Sequence, residues 1–183
     1  MNTETKELIS KVPHVTLLFW IIKIFATTLG ETGGDALSMS LDLGYLLSTG
    51  IFALIFIAAV TVQIKATKFH PYLYWLTIVA TTTVGTTLAD YATRDMGIGY
   101  TGGSAILLTC VVISLVVWRW VMGTVAVESV STAKAEVFYW VTIMFSQTLG
   151  TALGDWFADS LDLGYLVAAA VFGTALLITY LLY

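Results

Sequence analysis

One cysteine, two prolines and a charged fraction of only 11% mark this 183-residue chain by what it has little of. A single thiol, Cys110, cannot close an internal disulfide, so a disulfide-stapled scaffold is excluded. Eight Lys+Arg against twelve Asp+Glu make no basic footprint, which excludes a nucleic-acid partner. There is no zinc spacing of His and Cys, no P-loop, no dinucleotide fingerprint and no visible nucleophile–base pair. Nor is any stretch outside the apolar runs long enough for a soluble catalytic domain. The expectation is a chain that is not an enzyme and needs no cofactor. What is there is apolar: 58% of residues are hydrophobic, with a mean hydropathy of +0.88. A soluble domain averages about half apolar and about a quarter charged. The composition is that of a membrane protein, with the lipid bilayer as its first partner.

A membrane-spanning helix needs about 20 mostly apolar residues. Six runs qualify: 13–34, 45–64, 71–89, 102–122, 137–154 and 165–183. Stretches such as Ile51 to Ile57 do not alternate in and out, as barrel strands would. Helices are therefore expected, with Gly102-Gly103 opening the fourth. The polar start, with Glu4, Lys6, Glu7 and Lys11, is no signal peptide, and the first apolar run is expected to stay as a span.

The chain repeats itself. Trp20, Trp75 and Trp140 align without gaps on Gly30, Gly85 and Gly150, then Asp35, Asp90 and Asp155, then Gly44-Tyr45, Gly99-Tyr100 and Gly164-Tyr165. Each unit holds one helix ending near Gly-x-x-x-x-Asp, a turn, and one helix starting near Gly-Tyr. Two helices per unit return the chain to the side it entered from, so the repeats are parallel and the three Asp-bearing turns share one face. The fold class expected is an all-α membrane protein of six transmembrane helices, as three parallel two-helix repeats. Its parts are an N-terminal segment 1–11, repeat one 12–64, repeat two 65–122, a link 123–136 and repeat three 137–183. The helices surround a pseudo-threefold axis or the bundle dimerises. Basic residues set the orientation. Lys6, Lys11, Lys65, Lys68, Arg119 and Lys134 lie at the N-terminus or between repeats, while Arg94 alone lies in a turn within one. The N-terminus and links are therefore expected in the cytoplasm of a bacterial inner membrane, with the Asp turns outside.

The segments Lys11-Val12-Pro13, Phe19-Trp20, Gly30-Glu31-Thr32-Gly33-Gly34-Asp35 and Leu43-Gly44-Tyr45 resemble a bacterial family of multi-pass membrane proteins built from tandem DUF347 repeats. The resemblance covers residues 11–183. It implies two membrane helices and a characteristic tryptophan per repeat, and a layout rather than an activity. Members of that family usually carry four repeats, so three implies a truncated form, a shortened relative, or one that makes up the missing pair by self-association as a homo-oligomer.

Lys23, Thr27, Glu31 and Asp35 are spaced at four and line one helix face. Their equivalents are Ile78, Thr82, Thr86 and Asp90, then Ile143, Gln147, Thr151 and Asp155. An intramembrane carboxylate costs about 3 kcal/mol or more and so faces a protein interior or a wet cavity. If the stripes converge, Asp35, Asp90, Asp155 and Glu31 line a vestibule of oxygen ligands suited to a small hard cation, a metal ion or protons. The alternative is structural. Each Asp lies 15 residues after its Trp, about 22 Å along a helix, where it could sit hydrated and end the helix. Lys23 is read as an internal switch or a buried ion-pair partner, and Asp42 and Asp162 as turn or N-cap residues. Gly30-x-x-x-Gly34, Gly150-x-x-x-Gly154 and Gly85-x-x-x-Ala89 are read as helix-packing faces. The tryptophans are expected to anchor the inner interface or pack between helices, the Gly-Tyr tyrosines to join the outer belt, and Cys110 to lie in the core. The leading expectation is a transporter or exporter of a small cation. The competing one is a membrane scaffold or accessory subunit whose Gly faces bind a partner.

Overall fold

The computed structural model describes residues 10–182, and these contain six long helices and no strand. The helices are α1 (Leu17–Asp35), α2 (Gly44–Lys65), α3 (Pro71–Asp90), α4 (Gly99–Met122), α5 (Ala133–Asp155) and α6 (Gly164–Leu182). They are the six expected from the sequence, two per repeat. α2, α4 and α6 are each long and apolar enough to cross a bilayer. α1, α3 and α5 are of similar length, 19, 20 and 23 residues, but carry the polar stripes, which dilutes their hydropathy.

Local chemistry explains the boundaries. Thr16 caps α1 by accepting a hydrogen bond from the Phe19 amide at 3.2 Å, so the helix begins after Pro13 rather than at it. Thr132 does the same for α5 through the Ala135 amide at 3.2 Å, which moves its start ahead of Val137. α3 opens on Pro71, whose missing N–H is no loss in a first turn. α4 starts at Gly99, so Gly102 and Gly103 lie inside it and do not open it.

The first helix of each repeat does not stop at its Asp. Residues Ala36–Ser40, Tyr91–Asp95 and Trp156–Ser160 continue it for one π-helical turn. The amides of Leu41, Met96 and Leu161 reach the carbonyls five residues back, at 2.9, 2.9 and 3.1 Å. The next turn is left-handed at Asp42 (φ 56°), Gly97 (φ 69°) and Asp162 (φ 54°), which are equivalent positions. Asp tolerates this conformation better than most residues, and Gly adopts it freely. Asp42 is thus a turn residue and not the N-cap. Leu43 occupies that position, and no side chain caps α2.

Packing follows a shifted register. α1 packs on α3 and α3 on α5, while α2 packs on α3 and α4 on α5. The second helix of each repeat therefore lies against the first helix of the next. α3 is enclosed and buried along most of its length. α6 touches mainly the π-turn of its own repeat, and its lone buried residue is Ala168. α1 and α5 meet only sparsely, so the inner helices form an open arc rather than a closed threefold ring. At the link end, Tyr74, Trp140, Tyr139 and Trp118 form the buried aromatic core, and Phe19 and Trp75 pack against it. Trp75 and Trp140 thus pack between helices, while Trp20 is half-buried beside Phe19. Cys110 is half-buried on α4, not a core residue.

Candidate functional site

The equal spacing from Trp to Asp in the three repeats brings the ends of α1, α3 and α5 together, and with them Asp35, Asp90 and Asp155 around one cavity. Arg94 sits one turn beyond Asp90, on the π-turn, and reaches two of the three. Its Nε lies 2.9 Å from Asp90 Oδ1, an ion-pair contact without hydrogen-bond alignment. Its Nη2 donates to Asp155 Oδ2 at 3.1 Å. Asp90 and Asp155 are 4% and 9% exposed, so each needs this counter-charge. Burial alone would lower the Arg94 guanidinium, but Asp90 and Asp155 more than offset it and hold it above its ordinary value. Asp35 and Glu31 make no ion pair among the described residues. Nor, among those residues, do any three His, Cys, Asp or Glu side chains converge as a ready metal-ion site.

Below the carboxylates the stripes meet as expected from their spacing. The hydroxyls of Thr86 and Thr151 are 3.2 Å apart. One turn deeper, Gln147 Oε1 accepts from both Thr82 (2.5 Å) and Lys23 Nζ (3.1 Å). Lys23 therefore finds an amide on α5 rather than an acid. Thr27 donates to the carbonyls of Lys23 and Ile24, at 2.9 and 3.0 Å, so its hydroxyl is committed to its own helix.

Two adjoining cavities run along this face. One, about 400 Å³, is lined by Asp35, Asp90, Arg94 and Thr86. The other, about 390 Å³, lies between α1, α5 and α6 and is lined by Thr27, Thr82, Gln147, Gly150, Gly154 and Phe172, among others. Both share Glu31, Thr151, Asp155 and Tyr165. The polar groups of all three repeats thus border two adjoining cavities.

The glycines divide sharply. A Cβ on Gly30 would lie 2.7 Å from Thr82 Cβ, and one on Gly34 3.2 Å from Thr87 Cγ2. On Gly85 it would lie 2.9 Å from Thr148 Oγ1. These three are close helix contacts, as expected. Gly150 and Gly154 are not: nothing lies within 4 Å of a Cβ there, and both line the second cavity. The packing role expected of them is corrected, because no inner helix lies against that face of α5.

Arg94 is the residue that sequence reasoning undervalued. Its place four residues after Asp90 was a visible signal, since that spacing puts the two on one helix face. The Gly-Tyr pattern places Tyr165 in an interfacial belt. It is exposed, as a belt residue would be, yet it also borders both cavities.

Fold and site together define a class: an all-α membrane protein whose internal repeats join polar faces around a common space. The family model for the repeat of unknown function DUF347 matches three times, over residues 18–69, 73–124 and 138–183. The chain belongs to that family. No curated protein and no solved structure matches it.

Proposed function

We propose that this protein carries a small cation across the membrane, with Glu31, Asp35, Asp90 and Asp155 as its oxygen ligands or proton-binding groups. The observation that supports this reading is the pair of cavities joined at Glu31, Thr151, Asp155 and Tyr165. It is an acid-lined space within helices that are otherwise apolar. Arg94 supplies the counter-charge of Asp90 and Asp155, for which a cation or proton would compete. Lys23 marks the deep end of the stripe and repels a cation that has not been neutralised on the way. In this reading the N-terminus and links face the cytoplasm of a bacterial inner membrane, and the carboxylates open outward.

The test is flux of Mn²⁺, Mg²⁺, K⁺ and H⁺ into proteoliposomes, for the wild type beside Asp35→Asn/Asp90→Asn/Asp155→Asn. Flux that disappears in the triple variant, with the fold retained, supports the carrier. Undiminished flux in that variant overturns the assignment of the carboxylates.

A second reading is a non-transporting scaffold, favoured by the uncovered face of α6 and by the open surface at Gly150 and Gly154. It expects no flux of any cation in either protein, and co-purification of a membrane partner.

A further inference from the structure

The cavity between α1, α5 and α6 has a charged rim and an apolar wall. At the rim stand Glu31, Asp155 and Thr151; along the wall lie Ala168, Ala169 and Phe172 of α6. We propose that it binds a monovalent organic ammonium ion, with the cationic head at Glu31 and Thr151 and the apolar body against α6. This deepens the carrier reading, on which it rests for any role in transport.

Four observations converge. First, one carboxylate lining this cavity lacks a counter-charge. Arg94 already serves Asp155 and Asp90, which leaves Glu31 as the carboxylate in this cavity with no base of its own among the described residues. A cation at the Glu31 oxygens supplies the counter-charge it lacks. Second, Ala168, Ala169 and Phe172 give the cavity an apolar wall, which suits a cation that brings its own apolar body. Third, the space is real. Gly150 and Gly154 present bare backbone to it, unlike the packed Gly30, Gly34 and Gly85 of the equivalent motifs, and about 390 Å³ falls among small-molecule sites. Fourth, Tyr165 and Phe172 stand among its walls, and aromatic rings beside a carboxylate are a recurring setting for alkylammonium groups.

The experiment is equilibrium dialysis of radiolabelled benzyltrimethylammonium against the full chain in zwitterionic nanodiscs, with empty nanodiscs subtracted. The expected result is saturable binding that benzyl alcohol, its uncharged counterpart, does not displace. Glu31→Gln should weaken it at least tenfold. Gly154→Leu should abolish it without lowering the melting temperature, because the new side chain fills open space. Phe172→Ala, on the exposed α6, gives a second variant that needs no repacking of the inner helices, and it should weaken binding severalfold. No saturable binding, or affinity unchanged in Glu31→Gln and Phe172→Ala, overturns the proposal. Saturable binding with no cation flux leaves this site standing and removes the carrier reading. Flux of Mn²⁺ or H⁺ without benzyltrimethylammonium binding does the reverse.

Discussion

Arg94 Nη2 lies 3.1 Å from Asp155 Oδ2, which fastens the π-turn of the second repeat to the last helical residue of the third. The same guanidinium holds Asp90, so one base satisfies two carboxylates from neighbouring inner helices. Removing one partner of a buried pair leaves the other charge uncompensated, at about 3–5 kcal/mol. Arg94 is itself a third exposed, which places the expected loss for Arg94→Met near the lower end, roughly 3 kcal/mol. Arg94→Lys should recover only part of it, because an ammonium has no fork to span two acids. Thermal unfolding in detergent micelles measures both. A wild-type melting temperature for Arg94→Met would show that the bridge contributes nothing.

The two sorts of glycine make opposite predictions. At Gly30 and Gly85 an added methyl meets a threonine at 2.7 and 2.9 Å, so Gly30→Ala and Gly85→Ala should each cost about 1–3 kcal/mol by overpacking. At Gly150 and Gly154 the same change meets nothing, and replacing Gly inside a helix should stabilise by roughly 0.5–1 kcal/mol. Chemical unfolding of the four single variants decides it. Equal effects at all four positions would mean that the face of α5 is packed after all.

That contrast also shows how far the sequence could be read. The repeat, its two helices, the shared Asp end and the meeting of the stripes all follow from identities at fixed spacing. The four-residue ladder of Lys23, Thr27, Glu31 and Asp35 does place Gln147, Thr151 and Asp155 opposite it. The small-residue motif, however, is the same in repeats one and three, while its surroundings are not. A motif records what a helix offers, and the neighbour that takes it up is set by the order of packing. Gly30 faces α3 because α3 follows it. Among the described residues no inner helix follows α5, so Gly150 faces a cavity. The π-turns were illegible for a different reason. One extra residue per turn leaves no mark in hydropathy, and Asp35 reads equally well as the end of a helix or as its continuation.

Lys11 and Glu136 form the buried ion pair at the opposite end of the bundle, with Nζ 2.5 Å from Oε1 and exposures of 8% and 1%. Lys11 does more than neutralise the acid. Its Nζ also donates to the Ile64 carbonyl at 3.0 Å, and its backbone amide donates to the Val130 carbonyl at 3.1 Å. It thereby ties the segment before α1 to the end of α2, to the link and to α5. Glu136 Oε2 has no hydrogen-bond partner, so the pair is only partly satisfied, and its Coulomb attraction is set against a large desolvation cost. Lys11→Met should then be severe, about 3–5 kcal/mol, because Glu136 stays buried and unpaired. Glu136→Leu should be milder, since an ammonium on a four-carbon stem at the bundle's edge can reach water. The double variant should be more stable than Lys11→Met alone, as expected where an apolar pair replaces a buried ion pair. A double-mutant cycle read by thermal unfolding gives the coupling directly. Strictly additive losses would mean that the two residues act independently, and that Lys11 holds the segment through its carbonyl contacts alone.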